Sequence, residues 1–480
     1  MKPDMPNIVE LSDLINFFRG ITGPDNVLTG EPAAPYCTDW RRRYTGRALA
    51  VVFPSDTEQV AAVVKLCAAN KIALIPQGGN TSQCGGSVPL PQGMQIVLNL
   101  SRMKRIRALN ATSMTVEAGC TLALVRETAE QAGCFFPLAL GLGDDAPQCE
   151  IGGNLSTNAG GIAVLRYGTA RSLVLGLEVV LPDGRIWHGL RSLRKDNTGY
   201  DLKQLFIGAE GTLGIITAAV LTLFPQPQSV AMACVAVRDP ATAVALLAHL
   251  RATCGDRISA FEFISRSCLD LVLQHIPHTQ EPFAARYEWI VLVELSDVLQ
   301  ASLDTLLSDS LSGDGIIASH VSSEKNHMKT WWTLRKSISE AQKREGISVK
   351  HDIAVPVSRV AEFITQADAA LCAAFNGIRI VAFGHIGDGN IHYNVSLLEA
   401  RLNAAFIRES ERKVNHIVYD IVTQFNGSIS AEHGLGQLKV NEITRHKSPL
   451  ELELMRNIKH ALDPHGLMNP GKVLHAAIDE

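Results

Sequence analysis

Four residues in the last quarter of the chain have types and spacing that suit a metal site beside a general base. His385 and His392 flank a Gly-Asp-Gly-Asn turn, and Glu432 and His433 follow forty residues later. Glycine and aspartate tolerate the backbone angles of a tight turn, so a hairpin can bring both imidazoles together. Two histidines and one carboxylate suit a borderline divalent metal with open positions for substrate, which leaves the last histidine free as a base. The pattern indicates a hydrolytic or a redox site.

The same residues allow a plainer interpretation. The chain has 15 histidines, and two of them seven residues apart can be polar core residues with satisfied hydrogen bonds. The Glu432-His433-Gly434 run can equally be a turn that starts a helix. The turn between the two histidines favours the metal site, because the flanking runs at 378–381 and 391–395 both predict strands.

Three runs rich in glycine, asparagine and threonine lie in the first half of the chain. The first, 76–82, follows a predicted strand at 72–75, an arrangement in which converging backbone N–H groups can hold phosphate. The others span 151–161 and 208–217. Small residues let a ligand approach the backbone closely, and three such runs are too many for packing alone. They predict a dinucleotide site, but neither a Rossmann nor a P-loop pattern is present.

Length, charge and cysteine content narrow the class of protein. The 480 residues predict two or three domains, and a net charge of −4 argues against a nucleic-acid partner. Ten cysteines without a Cys-x-x-Cys pair indicate reduced thiols; Cys84 stands out in a glycine-rich loop, although a small buried side chain is the simpler reading. With no signal-peptide pattern and no apolar run long enough for a transmembrane segment, we expect a soluble cytoplasmic protein of bacterial type.

Strand and helix signals alternate along 46–225 and then change. A strand at 47–53 precedes a capping box at 55–58 that opens a helix, and another strand covers 174–181. Two strand–helix–strand units at 231–264 and 287–321 predict a split β-α-β sheet with helices on one face. A helix at 329–345, a strand at 347–351, a hairpin at 377–395 and a helix at 451–462 complete the prediction.

Together these runs resemble the FAD-dependent D-2-hydroxyacid dehydrogenases, within the vanillyl-alcohol-oxidase type of FAD fold. The resemblance covers about 430 residues and rests on six motifs in order, at 76–81, 151–161, 193–202, 208–217, 384–392 and 431–434. It implies oxidation of a D-2-hydroxy acid to the 2-oxo acid, with D-2-hydroxyglutarate as the first candidate substrate. D-lactate, glycolate and D-malate are the alternatives.

The resemblance also implies an α+β fold in three parts. A two-subdomain FAD-binding domain would span 1–228, with its core at 46–225. A ferredoxin-like antiparallel-sheet substrate (cap) domain would span 229–419 and carry the metal hairpin. A helical C-terminal segment at 420–480 would close the active site.

Roles for individual residues follow from the same resemblance. His385, His392 and Glu432 would bind a divalent metal, zinc by preference, and His433 would be the catalytic base. The substrate would be held by Arg335, Ser339, Lys350 and Asn394. Arg335 and Ser339 stand four residues apart on the predicted helix and would face one ligand, although Arg335 and Lys350 could instead form a solvated polar face. The serine at 339 replaces a threonine that is usual in the D-2-hydroxyglutarate enzymes.

The residues implied for FAD binding come mainly from the three glycine-rich runs. They are Pro76, Gln77, Gly78, Gly79, Asn80, Thr81, Ser82, Gly143, Gly152, Gly153, Asn154, Thr157, Asn158, Gly160, Gly161, Tyr167, Gly168, Glu210, Gly211, Gly214, Ile215, Asn390 and Asn469.

Non-covalent FAD is expected, because the loop at 76–82 lacks the histidine that bonds flavin in some relatives; Cys84 and Cys149 are the remaining candidates for a thioether. Since no nicotinamide motif is present, electrons would pass to an acceptor such as an electron-transfer flavoprotein or a quinone. A homodimer is expected. Two other classes stay open: a metal-dependent hydrolase that holds a nucleotide, and a flavin-binding subunit that needs a partner.

Overall fold

The computed structural model describes residues 10–141 and 148–475, so Gly143 lies outside the described residues. The strands are β1 (Val27–Leu28), β2 (Ala50–Val52), β3 (Ala73–Gln77), β4 (Gln95–Asn99), β5 (Ile106–Leu109), β6 (Ser113–Glu117), β7 (Cys134–Phe135), β8 (Val174–Val180), β9 (Ile186–Gly189), β10 (Ile215–Thr222), β11 (Phe224–Pro225), β12 (Ser229–Val237), β13 (Ile258–Ser265), β14 (Trp289–Asp297), β15 (Ile316–Ser322), β16 (Val349–Ala354), β17 (Ile378–Gly384) and β18 (Asn390–Leu397).

The α-helices are α1 (Leu11–Thr22), α2 (Thr57–Ala69), α3 (Leu122–Gln131), α4 (Ile151–Ser156), α5 (Val164–Tyr167), α6 (Lys203–Phe206), α7 (Pro240–Cys254), α8 (Arg266–His275), α9 (Leu303–Ser310), α10 (Lys325–Lys336), α11 (Ile338–Glu345), α12 (Val360–Ala374), α13 (Asn403–Gln424), α14 (Val440–His446) and α15 (Pro449–Leu462).

The first sheet has the order β1-β2-β4-β3, and its last three strands are parallel. Strands β2 and β4 are buried throughout and read as continuous apolar runs, as expected for strands covered on both faces. Helix α2 packs on this sheet through Val60, Val63 and Val64. The first glycine-rich loop therefore begins at the carboxyl end of a parallel strand, β3, where parallel sheets commonly bind ligands.

The helix predicted after β2 is α2, and its N-cap lies one residue later than the predicted capping box places it. Asp56, not Ser55, is the N-cap, and its side chain accepts a hydrogen bond from the Gln59 N–H at 2.8 Å. The Gln59 side chain in turn accepts from the Ser55 N–H at 2.8 Å. The serine and the glutamate at 58 fit the motif by sequence, but the strand ends at Val52 and its short exit places Asp56 at the helix start.

The second sheet has the order β5-β6-β10-β8-β9 and is antiparallel throughout. Its core includes Val125 of α3 and Ile151 and Leu155 of α4, the helix that the second glycine-rich run forms. The two sheets make the two halves of the expected FAD-binding unit, and the second run lies on its inner side.

The third sheet is antiparallel and has the order β15-β12-β14-β13-β17-β18-β16. Its first four strands follow the split β-α-β order, so the predicted ferredoxin-like sheet is confirmed. Helices α7 and α9 cover one face, and α8, α10 and α11 cover the other. The expectation that helices lie on one face only is wrong, because alternate residues of β12 are apolar on both sides and each set needs cover.

The helix predicted at 329–345 is two helices that meet at Ser337. Ser337 is both the C-cap of α10 and the N-cap of α11. Apolar residues continue with helical spacing across the break, at Leu334, Ile338 and Ala341, so periodicity alone could not reveal it. Arg335 and Ser339 consequently belong to different helices and are not an i, i+4 pair.

The end of the chain returns to the first sheet. Helix α15 begins with a capping box formed by Ser448 and Glu451. Beyond it, the Leu74 N–H donates to Leu467 O and the Asn469 N–H donates to Leu74 O, both at 2.8 Å. Among the described residues, none of the helices has the length and apolar character needed to cross a lipid bilayer.

Candidate active site

The hairpin of β17 and β18 carries the first two histidines, as the sequence predicts. His385 directly follows β17, and His392 lies in β18 opposite Phe383. Gly389 closes the turn with φ +84°, a left-handed conformation that a residue with a side chain rarely adopts, and an added Cβ would lie 2.0 Å from Val355 O. The two imidazole centres are 5.6 Å apart. The turn thus places both rings next to each other at one end of the hairpin.

Three imidazoles surround one carboxylate oxygen. Glu432 Oε1 lies 3.8 Å from His385 Nε2, 3.6 Å from His392 Nε2 and 3.9 Å from His433 Nε2. Two ligands bound at about 2.0–2.1 Å to a tetrahedral zinc stand about 3.3–3.4 Å apart, so these donors need to close by only a few tenths of an ångström. These distances to Glu432 suit a divalent metal. Among the described residues, however, the ligand atoms that all lie within 4.8 Å of one another belong to Asp352, His392, Glu432 and His433, so the predicted ligand His385 lies outside this closest group.

Glu262 orients the His385 ring so that its Nε2 faces Glu432. Its Nδ1 lies 2.5 Å from Glu262 Oε1, whereas its buried Nε2 has no hydrogen-bond partner among the described residues. Burial opposes a charge on this ring, but the Glu262 carboxylate outweighs burial and raises the pKa of His385 to about 10. A proton or a metal cation is therefore favoured beside these carboxylates. The unpartnered Nε2 of His385 faces Glu432, and this arrangement indicates a cation site between the two residues.

Asp352 in β16 anchors the loop that carries Glu432 and His433. Its Oδ2 accepts from the backbone N–H groups of Glu432 at 2.9 Å and His433 at 2.8 Å, and its Oδ1 accepts from Asn390 Nδ2 at 2.9 Å. Asp352 also lies close enough to the imidazoles to count as a possible metal ligand. We regard it as an anchor, because N–H donors already engage both of its oxygens.

A single cavity joins this cluster to the glycine-rich loops. The predicted site residues that line it are Pro76, Gln77, Gly78, Gly79, Asn80, Thr81, Ser82, Gly152, Gly153, Asn154, Thr157, Gly160, Glu210, Gly211, Gly214, Ile215, Arg335, Ser339, Lys350, His392, Asn394, Glu432 and His433. Residues far apart in the sequence thus share one binding space, which the separate motifs did not by themselves require.

The chemistry of the cavity wall fits a dinucleotide. Glu150 Oε2 and Asn154 Nδ2 are buried and have no hydrogen-bond partner among the described residues. An added Cβ on Gly153 would meet open space, whereas one on Gly79 would lie 1.5 Å from Gln148 O. The unpartnered polar atoms indicate that a polar ligand completes the site. Because glycines have no side chains, such a ligand can approach the backbone closely. Burial raises the pKa of Glu150 to about 8, so its carboxyl can donate as well as accept.

Six of the predicted cofactor contacts are not among the residues that line the cavity, and their contacts within the protein are as follows. Asn390 donates to Asp352 and to Ile353 O, and Asn469 donates to Gly86 O at 2.9 Å and Glu210 O at 2.7 Å. Asn158 accepts from the Arg171 N–H at 3.0 Å, and Tyr167 packs edge-on against Phe135 and Phe224. The remaining two, Gly161 and Gly168, have φ values of +106° and +79° and shape the chain behind the cavity.

Glu210 lines the cavity but its carboxylate is already engaged. Oε1 accepts from the Leu435 N–H at 2.7 Å, and Oε2 accepts from the Gly436 N–H at 2.8 Å. The glutamate therefore clamps the loop after His433 onto the first half of the chain. Gly434 permits this approach, since an added Cβ would lie 2.7 Å from Glu210 Oε1.

The four predicted substrate residues come together at the cluster end of the cavity. Lys350 and Asn394 are cross-strand partners on β16 and β18. Burial, together with the cations Arg41 and Lys343, lowers the pKa of Lys350 to about 8, and none of the described carboxylates forms an ion pair with it. Arg335 is 2 % exposed and keeps a buried Nη2 without a hydrogen-bond partner in the described part of the chain. Ser339 lines the same end of the cavity even though the helix breaks before it.

The cysteines near the cavity are buried and unpaired. Burial raises the pKa of the Cys84 thiol to about 11, and its Sγ lies 3.3 Å from Gly434 O. Cys149 Sγ lies 3.6 Å from Thr81 Oγ1, and burial raises the pKa of this thiol too. Cys84 is thus the small buried side chain that the simpler reading predicts.

Two family models match this chain. The family "FAD binding domain" matches residues 48–189, and "FAD linked oxidases, C-terminal domain" matches residues 226–473. The second match alone covers more than half of the sequence. The chain therefore belongs to the FAD-linked oxidase family, and it is an FAD-dependent oxidoreductase.

Two similar proteins narrow this class further. The mitochondrial D-2-hydroxyglutarate dehydrogenase of Arabidopsis thaliana is 36% identical over 471 residues, which cover 96% of this chain and 81% of the relative. The D-2-hydroxyglutarate dehydrogenase of Xanthomonas citri pv. viticola is 36% identical over 477 residues, covering 98% and 97%. The crystal structure of p-cresol methylhydroxylase with substrate bound superposes with a TM-score of 0.76 at 19% identity and 96% coverage of both chains, which establishes a shared fold.

Proposed function

We propose that this enzyme oxidises D-2-hydroxyglutarate to 2-oxoglutarate with FAD and a divalent metal. One observation carries the proposal: His392, Glu432 and His433 line the same cavity as the glycine-rich loops and as Arg335 and Lys350. Two cations suit a substrate with two carboxylates, and the cluster lies where a hydroxyl between them would be handled. The names of the relatives support the same substrate.

FAD, when bound, supplies the acceptor for the hydride that leaves the substrate C2. We propose that the loop at 76–82 holds its pyrophosphate through backbone N–H groups, and that Gly153, Asn154 and Gly160 line the flavin and its chain. The unpartnered Glu150 and Asn154 atoms support this assignment. The buried thiols of Cys84 and Cys149 support non-covalent attachment.

We propose His385, His392 and Glu432 as the metal ligands. A divalent metal supplies Lewis acidity toward a hydroxyl or carboxylate oxygen of the substrate. Nitrogen and oxygen donors suit zinc. Burial lowers the pKa of His392 to about 3, so this neutral ring can offer a lone pair to a cation. Glu262 engages Nδ1 of His385, so Nε2 is the nitrogen that a metal would bind after displacing its proton.

His433 is the proposed base, and its Nε2 takes the proton from the C2 hydroxyl. Among the three rings of the cluster it is the most accessible, with 31% of its side chain exposed against 11% for His392 and 4% for His385. It lines the cavity, while its backbone N–H is fixed on Asp352. A ring that faces substrate on a held backbone suits proton transfer.

Arg335 and Lys350 are the proposed carboxylate-binding residues, with Ser339 and Asn394 as neutral partners. The planar guanidinium of Arg335 matches a carboxylate with two parallel N–H groups, and Lys350 adds a point charge for the other. Both cations line the one cavity, which supports binding of a dicarboxylate.

The proposal is tested by the visible spectrum of the purified protein under anaerobic conditions. D-2-hydroxyglutarate should bleach the flavin absorbance at low concentration, whereas D-lactate should do so only at much higher concentration. Preferential bleaching by D-lactate or glycolate would assign the chain to the alternative substrates. A flavin that none of these acids bleaches, in protein with full metal content, would refute the proposed function.

Lys350→Met should raise the KM for D-2-hydroxyglutarate by about tenfold or more and leave the KM for D-lactate within about twofold, since one charged hydrogen bond is worth about 1.5–3 kcal/mol. Because the pKa of Lys350 is lowered to about 8, kcat/KM of the wild type for the dicarboxylate should also fall above that pH as the ammonium loses its proton. The variant should lack this fall.

The exposed Lys329 on α10 provides the matched control, and Lys329→Met should behave as the wild type with both acids. Equal effects of Lys350→Met on the dicarboxylate and on D-lactate would contradict a role for Lys350 in recognising the second carboxylate.

Other parts of the proposal concern partners and location. We propose an electron-transfer flavoprotein or a quinone as the electron acceptor, a homodimer as the assembly, and domains bounded at 1–228, 229–419 and 420–480. The unpaired cysteines support a reducing compartment such as the cytoplasm, although the Arabidopsis relative is named as mitochondrial.

A further inference from the structure

Glu262 is a carboxylate in the middle of β13 that is completely buried, with 0 % exposure. Its chain neighbours are Phe261 and Phe263, so the charge has no access to water and needs protein partners. It has two: Oε1 lies 2.5 Å from His385 Nδ1, and Oε2 accepts from Arg335 Nε at 2.6 Å. One carboxylate thus touches both the imidazole cluster and the cationic end of the cavity.

Each contact determines which atoms stay free. Because Nδ1 of His385 faces Glu262 Oε1, Nε2 is the ring nitrogen that faces Glu432. With Nε on Glu262 and the guanidinium carbon 4.9 Å from the centre of the Phe383 ring, Arg335 keeps its Nη2 free of protein partners in the described part of the chain. Glu262 therefore presents one open donor atom to a metal and one open N–H group to an anion.

We infer that Glu262 is a positioning residue that fixes His385 and Arg335 relative to each other, so that metal binding and substrate binding depend on one buried carboxylate. The inference rests on the proposed function, in which His385 binds the metal and Arg335 binds a substrate carboxylate. It predicts that a change at Glu262 weakens both binding events together, although Glu262 touches neither ligand.

Glutamine at this position keeps the shape but removes half of the hydrogen bonding. Its amide has one acceptor oxygen, whereas both partners of Glu262 are N–H donors, so either His385 or Arg335 meets an NH₂ group instead. Arg335 also loses the counter-charge for a buried guanidinium. A substitution of this kind should disturb both residues in one step.

The test uses Glu262→Gln in the full-length protein with its FAD. Zinc affinity of metal-depleted protein, measured by competition with a chromophoric chelator, should fall about 10- to 100-fold, the usual cost of losing the group that supports a metal-bound histidine. At saturating zinc, the KM for D-2-hydroxyglutarate should rise at least tenfold. Glu262→Asp, which keeps the charge on a shorter side chain, should show smaller changes in both and serves if the glutamine variant does not fold.

Glu345 offers a matched control because it bridges a histidine and an arginine in the same way. Glu345, the last residue of α11, lies 2.7 Å from His275 Nε2 and 2.5 Å from Arg379 Nη1. Glu345→Gln should lower thermal stability without changing zinc affinity or KM. Parallel losses in the two glutamine variants would show that the effect of Glu262 is general destabilisation, and would overturn the inference.

A double variant separates the two halves of the bridge. If Glu262 acts on KM through Arg335, Glu262→Gln should add no further increase in KM to Arg335→Met, while its loss of zinc affinity should persist. A change in zinc affinity with an unchanged KM, or the reverse, would refute the inference that Glu262 positions both His385 and Arg335. It would leave the proposed function intact. A wild-type protein that binds no zinc would instead refute the proposed metal site.

Discussion

Replacing His433 with glutamine is expected to lower kcat by about two to four decades, the usual contribution of a positioned general base. The FAD absorbance, the metal content and the KM should change little. The effect should appear in the rate of flavin reduction when enzyme and D-2-hydroxyglutarate are mixed anaerobically in a stopped-flow instrument, since the proton leaves the hydroxyl in that half-reaction.

The selectivity of this expected loss follows from how the loop is held. Asp352 binds the backbone N–H groups of Glu432 and His433, and Glu210 binds those of Leu435 and Gly436, so four backbone hydrogen bonds hold the loop without the imidazole. The ring adds a stacking contact with His392 at 5.5 Å between centres and lies 3.7 Å from Asp352 Oδ2. Glu432, the proposed metal ligand, should stay in place when the ring is removed. Only the proton acceptor is lost.

His249, exposed on α7, provides the control for this experiment, and His249→Gln should reduce the flavin at the wild-type rate. A His433→Gln variant that retains more than about a tenth of the wild-type kcat would contradict the assignment of the base. Loss of metal together with activity would show instead that His433 is a ligand, which its Nε2, 3.9 Å from Glu432 Oε1, would permit.

The local motifs predicted the residues that gather around the cavity, because each motif combines a turn with the side chains that the turn presents. The loop at 76–82, the α4 run and the histidine hairpin all lie where their spacing indicates. The split β-α-β order of the third sheet could also be predicted, since apolar residues repeat with different periods in strands and in helices.

Glu262 and Asp352 were missed because their partners are distant in sequence. Glu262 contacts residues 73 and 123 positions away, and Asp352 binds N–H groups 80 and 81 positions away. The available signal was a single acidic residue within a buried apolar strand, as in Phe261-Glu262-Phe263, since such a charge requires a partner. The sequence also did not reveal that Asn390 Nδ2 donates to Asp352 and Ile353 O and that Asn469 Nδ2 donates to Gly86 O and Glu210 O, because these partners too are distant in sequence.

Removing the divalent metal is expected to abolish turnover while the protein stays yellow. Prolonged dialysis against a chelator should lower kcat at least a hundredfold, and zinc should restore it; cobalt and manganese offer comparison ions with similar donor preferences. In His392→Ala, one of three ligands is gone and zinc should restore little activity. Dialysis against the same chelator presaturated with zinc is the control, and a protein shown by elemental analysis to be metal-free yet fully active would disprove a catalytic metal.

The pKa values in the cluster predict the direction in which zinc affinity changes with pH. Despite burial, Glu262 raises the pKa of His385 to about 10, so in metal-free protein this ring holds a proton throughout the neutral range, whereas burial leaves His392 neutral with a pKa of about 3. Zinc must displace one proton from His385, so its affinity should rise about tenfold for each pH unit between about 6 and 7.5. Since the metal binds only the folded protein, the stability that zinc adds should grow in the same direction, by about 1.4 kcal/mol per tenfold gain in affinity at fixed excess zinc. An affinity that stays constant over this range would mean that His385 enters the site unprotonated and that Glu262 does not control its charge.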